Sequence, residues 1–250
     1  MEMPEKFENT LIVGRNAVLE ALYEGVQIEK IYLQTGITGD FEKAIRHQCK
    51  DKEVPLQSVP KEKLNRMTKV NHQGVVGLKA LVTFHDINNV IAHVYEKGKV
   101  PLIAMLEEIT DVRNLGAIAR SALAFGVDGI VIPLTGAAPI QADSIKSSSG
   151  ALLKIPVCRV KNFSEAINIL RDNGLMIYAT GLDKAKSLSQ IDFKEPTAIL
   201  FGSEERGVSP HLLRMCDEVI KISQSDEIES LNVSVAAGIV LSRVFEQRMD

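Results

Sequence analysis

At 250 residues, with 45% hydrophobic and 24% charged side chains, the chain can form one large or two modest domains and has the make-up of an ordinary soluble protein. No apolar run approaches the roughly 20 residues that span a bilayer, and Cys49, Cys158 and Cys216 are too scattered for a disulfide framework or a cysteine zinc site. The formal charge of −3 carries no overall signature of nucleic-acid binding, and the opening MEMPEKFENT is neither signal nor transit peptide, so a reducing, cytoplasmic setting is expected.

In chain order, residues 10–35 predict a small helix followed by a strand. Asn16 is placed to cap AVLEALYEG, whose Val18, Leu19 and Leu22 share one face, and Gly25 is a plausible stop. KIYLQT alternates as a strand does. A second helix spans Phe41 to Cys49, VPLQSVP follows, KEKLNRMTK reads as a charged helix, and HQGVVGLKAL (72–81) closes in an apolar strand. Residues 1–81 then make one compact α/β unit. Between Lys43 and Lys79 it carries nine Lys/Arg against three acids. Such a stripe could follow a phosphate backbone; a solvated helix face would look the same.

Residues 82–99, VTFHDINNVIAHVYEKGK, contain one short amphipathic helix between polar flanks and are expected to link two domains. From 100 to 250 strand and helix alternate: PLIAMLEE strand, LGAIARSALAFG helix, GIVIP strand, a Ser/Gly-rich stretch, SEAINILRDNG helix, LMIYAT, AILFG and EVIKI strands, and a final helix. Alternation on this scale predicts an α/β domain with a parallel sheet covered on both faces. Ligands of such sheets bind beyond the carboxyl ends of the strands. Three predicted strands end in loop-forming pairs: Thr180-Gly181, Phe201-Gly202 and Ile222-Ser223.

Three stretches share a strand, polar loop, helix design. In DVRNLGAIAR, Asn114 sits where a helix cap is wanted. Leu115, Ile118, Ala119, Ala122 and Leu123 form its expected buried face. Arg120 lies off that face among Ala117, Ser121 and Ala124, where small neighbours would let a guanidinium grip a phosphate. In Gly202-Ser-Glu-Glu-Arg-Gly207-Val-Ser209, Val208 stands where a phosphate-binding loop needs lysine, which argues against nucleoside-triphosphate hydrolysis. Gly202 would let backbone approach a flat ligand, and Glu204 could accept hydrogen bonds or favour the next helix. In Ser230-Leu231-Asn232-Val-Ser234 three side-chain oxygens crowd a helix start where one cap suffices. His47, His72, His85, His93 and His211 show no metal-ligand spacing, and His72 reads as a turn residue or RNA contact.

In this order the three stretches resemble the motifs of the SpoU-type RNA 2′-O-ribose methyltransferases, in the trefoil-knotted SPOUT superfamily. NLGAIAR is similar to the first motif, FGSEERG to the second and IESLNVSVAAGIVLSR to the third. GRNAVLEAL and HQGVV look like the small ribosomal-protein-like RNA-binding domain of one branch. That branch methylates a guanosine ribose in 23S ribosomal RNA. The resemblance implies a knotted domain over 100–250, S-adenosylmethionine as cofactor, no metal, and a homodimer with the site at the subunit interface. It implies Asn114, Arg120, Glu204, Ser230 and Asn232 as catalytic residues, with Thr180, Gly181, Gly202, Ile222 and Leu231 lining the cofactor pocket.

The chain departs from the family's Ile-Pro-Met-x-Gly before Ser-Leu-Asn, having Ile222-Ser-Gln-Ser-Asp226, and has Glu205 where Gly is common. That departure keeps open a non-catalytic RNA-binding or ribosome-assembly protein. Transfer RNA is the other candidate substrate.

Overall fold

The computed structural model describes residues 10–183, 185–203, 205–225, 227 and 230–249. The chain divides into two compact units, one ending at Thr83 and joined by residues 140–142, the other holding 84–139 and everything from Asp143.

The first unit runs β1 (Leu11–Val13), α1 (Arg15–Tyr23), β2 (Ile28–Gln34), α2 (Asp40–Asp51), β3 (Leu56–Val59), α3 (Lys61–Met67) and β4 (Val75–Lys79). The sheet order is β1-β4-β2-β3, parallel only between β2 and β3. Period-two alternation splits its residues between two cores. Ile31, Leu33 and Val75 pack with Val18, Leu22, Ile45 and Cys49 of α1 and α2. Tyr32, Val59 and Val76 pack with Leu64 and Met67 of α3. Asn16 does not cap α1. The position falls to Gly14, with no side-chain cap, and Gln73, 58 residues on, accepts the Arg15 amide at 3.1 Å.

The second unit runs β5 (Phe84–His85), α4 (Ile87–Glu96), β6 (Leu102–Leu106), α5 (Val112–Ala124), β7 (Gly129–Pro133), α6 (Ala142–Ser147), β8 (Val157–Val160), α7 (Phe163–Asp172), β9 (Met176–Thr180), β10 (Lys186–Ser187), β11 (Thr197–Phe201), α8 (Pro210–Leu213), β12 (Glu218–Lys221) and α9 (Val233–Met249). The eight strands lie in the order β10-β12-β9-β11-β6-β7-β8-β5. Every described pairing is parallel, as the alternation predicts. One face buries Ile103, Met105, Ile177 and Leu200 against α4, α7 and α8. The alternate residues Leu102, Ala104, Ile199 and Phe201 are also buried, so both faces are covered.

The stretch 82–99 is not a free tether. Its Phe84 and His85 pair with β8, and Ile87, Val90 and Ile91 sit in the second unit's core. An amphipathic helix with an apolar stripe beside a sheet is buried rather than left spanning solvent. The Ser/Gly-rich stretch holds α6, a 3-10 turn at Ala151–Leu153 and, past it, β8. Leu123, expected in the buried face of α5, is instead 39% exposed. Among the described residues no helix is long and apolar enough to cross a membrane.

The far end of α9 is fastened to the sheet's opposite edge. Arg248 donates from Nε to the Phe193 carbonyl (2.8 Å), from Nη1 to Val100 (2.8 Å), and from Nη2 to Pro101 (3.2 Å) and Glu195 (2.8 Å). Burial lowers this guanidinium below the usual arginine range, and the Asp128 carboxylate opposes that. Arg248→Ala is expected to cost about 2 kcal/mol, roughly 4–8 °C in Tm, because four carbonyls lose a charged donor. A thermal melt within a degree of wild type would show the clasp to be idle.

Candidate active site

Because the sheet is parallel, the segments after β6, β7, β9, β11 and β12 all leave from one edge. The turn after β6 is forced by Glu108, a non-glycine residue with φ +52°. Such strain persists only where the surroundings hold it. The chain then enters α5 at Asp111, whose carboxylate accepts the Arg113 (2.7 Å) and Asn114 (3.1 Å) amides. Its hydrogen bond with the Arg113 side chain, and then these two amides, hold that carboxyl below its ordinary pKa. It stays an acceptor near neutral pH.

Asp111, not Asn114, is therefore the cap. This frees the Asn114 side chain, whose Oδ1 accepts Nδ2 of Asn232 at 3.2 Å across 118 residues. Asn232 in turn starts α9. Its Oδ1 accepts the Ser234 amide (2.9 Å) and hydroxyl (2.5 Å), and its carbonyl accepts the Ala236 amide. One of the three crowded oxygens caps and also bridges two helices. Ser230 and Leu231 precede it, exposed and half-buried respectively.

After β11 the chain folds back on itself. Ser203 and Gly207 exchange both backbone hydrogen bonds, at 3.1 and 2.9 Å. A Cβ on Gly202 would lie 1.9 Å from the Gly207 carbonyl carbon and 2.1 Å from the Val208 nitrogen. The close approach at Gly202 is thus first to its own loop. Among the described residues nothing hydrogen-bonds to the buried Gly202 peptide groups. Glu204 lies outside the described residues. Between these loops opens a cavity of about 370 Å³, walled by Glu108, Thr110, Asn114, Ser203, Arg206 and Val233 among others. Thr110, Ser203 and Arg206 escape the sequence reading because nothing in their spacing marks them. Position on a strand-end loop was the one usable signal.

Thr180 and Gly181 leave β9 beside β12, where Thr180 pairs with Ile220 and the Gly181 amide donates to the Ile220 carbonyl at 3.0 Å. Thr180 Oγ1 donates to the Leu200 carbonyl at 3.2 Å. Ile222, half-buried, follows directly on β12. Thr180, Gly181, Gly202 and Ile222 thus sit at the ends of three adjacent strands. Arg120 is exposed, nearly two turns along α5 from Asn114, and its side chain has no hydrogen bond or ion pair among the described residues. Gly116 lets α5 approach α6, since a Cβ there would meet Ser147 Oγ at 1.9 Å. No group of three or more His, Cys, Asp or Glu among the described residues is placed to hold a metal ion.

Charges of both signs at the cavity fit a cofactor with a carboxylate and with ammonium and sulfonium groups. Thr180, Gly181, Gly202, Ile222 and Leu231 do not line that cavity. Buried peptide groups at Gly202 stand ready for hydrogen bonds. Glu108 and Glu205 supply negative charge at the cavity and Arg206 positive charge.

Comparison with known proteins bears on the family and the fold. Residues 101–242 match the model of the SpoU rRNA Methylase family. Residues 11–80 match that of RNA 2′-O ribose methyltransferase substrate binding. A putative TrmH family tRNA/rRNA methyltransferase of Staphylococcus aureus is 37% identical over 243 residues, 97% of this chain and 98% of that protein. The SpoU methyltransferase AviRb of Streptomyces viridochromogenes, solved with the cofactor AdoMet, superposes with a TM-score of 0.59 at 22% identity, covering 96% of this chain and 90% of that one. The TrmH/SpoU tRNA modifying enzyme of A. aeolicus gives a TM-score of 0.56 at 26% identity over 65% of this chain and 84% of its own. The chain belongs to the SpoU family of S-adenosylmethionine-dependent RNA methyltransferases.

Proposed function

We propose that the protein methylates the ribose 2′-hydroxyl of a guanosine in 23S ribosomal RNA. The observation that carries the reading is the Asn114–Asn232 hydrogen bond. It joins the first and third motifs over the loop that supplies the second, at the edge where a parallel sheet binds its ligand. The first unit's match to a 2′-O ribose methyltransferase substrate-binding model supports the ribose as target.

S-adenosylmethionine supplies an electrophilic methyl group, so the step forms an oxygen–carbon bond, breaks a carbon–sulfur bond and releases the hydroxyl proton. Thr180, Gly181, Gly202, Ile222 and Leu231 line the cofactor pocket. Asn114, Asn232 and Ser230, with Glu204, orient the ribose. Arg120 clamps an RNA phosphate and stabilises charge on the attacking oxygen. A guanidinium is a poor base, so it serves as clamp rather than proton acceptor.

The resemblance also supplies the knot and the dimer. In support of the knot, β12 lies between β9 and β10 although 30 residues, 188 to 217, separate β10 from it. In support of a second copy, Val235 and Ile239 sit four residues apart on α9 at 51% and 39% exposure. Transfer RNA is the second reading, favoured by the relatives' description as tRNA/rRNA methyltransferases.

Calorimetric titration with S-adenosylmethionine should give one site per chain at micromolar strength. Unmodified 23S ribosomal RNA should then accept label from methyl-labelled cofactor while a transfer RNA pool does not. Labelling of the transfer RNA alone would move the substrate; no labelling of either would sink the reading.

A further inference from the structure

The first unit has a cleft of its own, about 640 Å³, open to solvent, where the α1 start, the end of β2, α3 and the turn before β4 meet. Its floor is a locked turn. The Gly74 amide donates to Nδ1 of His72 at 2.9 Å, and Nε2 lies 2.9 Å from Asn65 Oδ1. Nδ1 thus accepts and Nε2 faces Asn65 Oδ1 as donor, so both ring nitrogens are used. Gln73 follows at φ +50°, a left-handed conformation in a residue with a side chain. It takes the Arg15 amide on Oε1 and the Arg15 Nε on its carbonyl, both at 3.1 Å. At Gly74, φ +81°, a Cβ would strike Ile37 at 2.2 Å. Four hydrogen bonds hold the turn.

What this rigid floor presents is chemically one-sided. Among the described residues, Arg15, Lys61 and Lys69 line the cleft and no carboxylate does. Arg15 rests on the Phe41 ring, 4.7 Å from its centroid, and spends only Nε on the protein. Its terminal nitrogens and the face turned away from Phe41 remain for a ligand. The amides of Gln34, Asn65 and Asn71 stand on the walls, and the exposed Val70, 63% accessible, adds an apolar surface. Three cations with no ion pair among the described residues suit a phosphate. Asn65 and Asn71 already accept on Oδ1, from His72 and the Gln73 amide respectively, so they offer Nδ2 as donors, while Gln34 can donate and accept. Beside the open face of a guanidinium these suit an uncovered base edge and face. A duplex hides those edges and offers chiefly its backbone.

Resting on the RNA methyltransferase reading, we propose that this cleft seizes one unpaired nucleotide of the RNA substrate. Its phosphate lies on Arg15, Lys61 and Lys69, and its base is read by the wall amides. The first unit then selects a single-stranded loop rather than adding general affinity for RNA.

The test uses the full chain and two probes, an unstructured RNA of about 12 nucleotides and a duplex of the same length. Binding is followed by fluorescence anisotropy across a salt series. Wild type should prefer the unpaired probe by about tenfold or more. Lys61→Ala/Lys69→Ala should weaken that binding roughly 10- to 100-fold at low salt and flatten the log–log salt slope by about 1.4, two released counterions at about 0.7 each. Its titration with S-adenosylmethionine should match wild type. Gln34→Ala should narrow the spread of affinities among homopolymer RNAs without changing the slope. Unchanged affinity and slope in the double variant, or a wild-type preference for duplex, would overturn the cleft. A wild type that methylates RNA while the double variant binds as before would overturn the cleft alone. A wild type that takes neither cofactor nor methyl label, yet shows the slope change, would overturn the enzyme reading and keep the cleft.

Discussion

Arg120→Ala is expected to lower kcat/KM for methyl transfer about 10²- to 10³-fold, the usual effect of removing one charged stabiliser of a developing oxyanion. Stability should move by less than about 0.5 kcal/mol, because the side chain is exposed and has no partner among the described residues. Cofactor affinity should be unchanged for the same reason. Arg120→Lys keeps the charge but loses the two-pronged grip on phosphate, so it should recover only part of the rate. Initial rates on unmodified ribosomal RNA, paired with calorimetry, separate these effects. If Arg120→Ala abolishes cofactor binding, Arg120 belongs to the pocket and not to the clamp.

The second large effect is expected at Gly202. An alanine methyl there must overlap backbone, the Gly207 carbonyl carbon at 1.9 Å and the Val208 nitrogen at 2.1 Å. Backbone cannot swing aside as a flexible side chain can. The Ser203–Gly207 pairing must open, which should cost about 2–4 kcal/mol and lower Tm by roughly 5–15 °C. Below the melting transition, Gly202→Ala should still fail to bind S-adenosylmethionine, since the loop that shapes the pocket has moved. A variant that melts normally and binds cofactor normally would mean that the turn is not part of the pocket.

Fold class was readable because it rests on local pattern. Apolar runs of strand length, helices of amphipathic period and loop formers between them predict a parallel sheet whatever the strand order. The shortest elements escaped. β10 has two residues and α8 four, too few for any period to show. β8, four residues of VCRV, hides behind the Ser/Gly-rich stretch. The 82–99 stretch reads as a link because its polar flanks are visible in sequence and its neighbours are not. Burial of Ile91 to 0% is a property of α4 and α7 together.

Sequence by itself determined the alternation, the carboxyl-end loops and the identity of the polar residues on them, since each follows from a few adjacent side chains. The tertiary structure alone decided which of those residues cap and which reach across. Asp111 and Asn114 are both good caps three residues apart, as Asn16 and the distant Gln73 both can serve α1. Their local preferences differ by less than about 1 kcal/mol. The choice therefore goes to whichever side chain the strand exit and the neighbouring helix bring within hydrogen-bonding distance. At α5 that choice leaves Asn114 free to meet Asn232, and a contact across 118 residues is set by strand order, which no local spacing records.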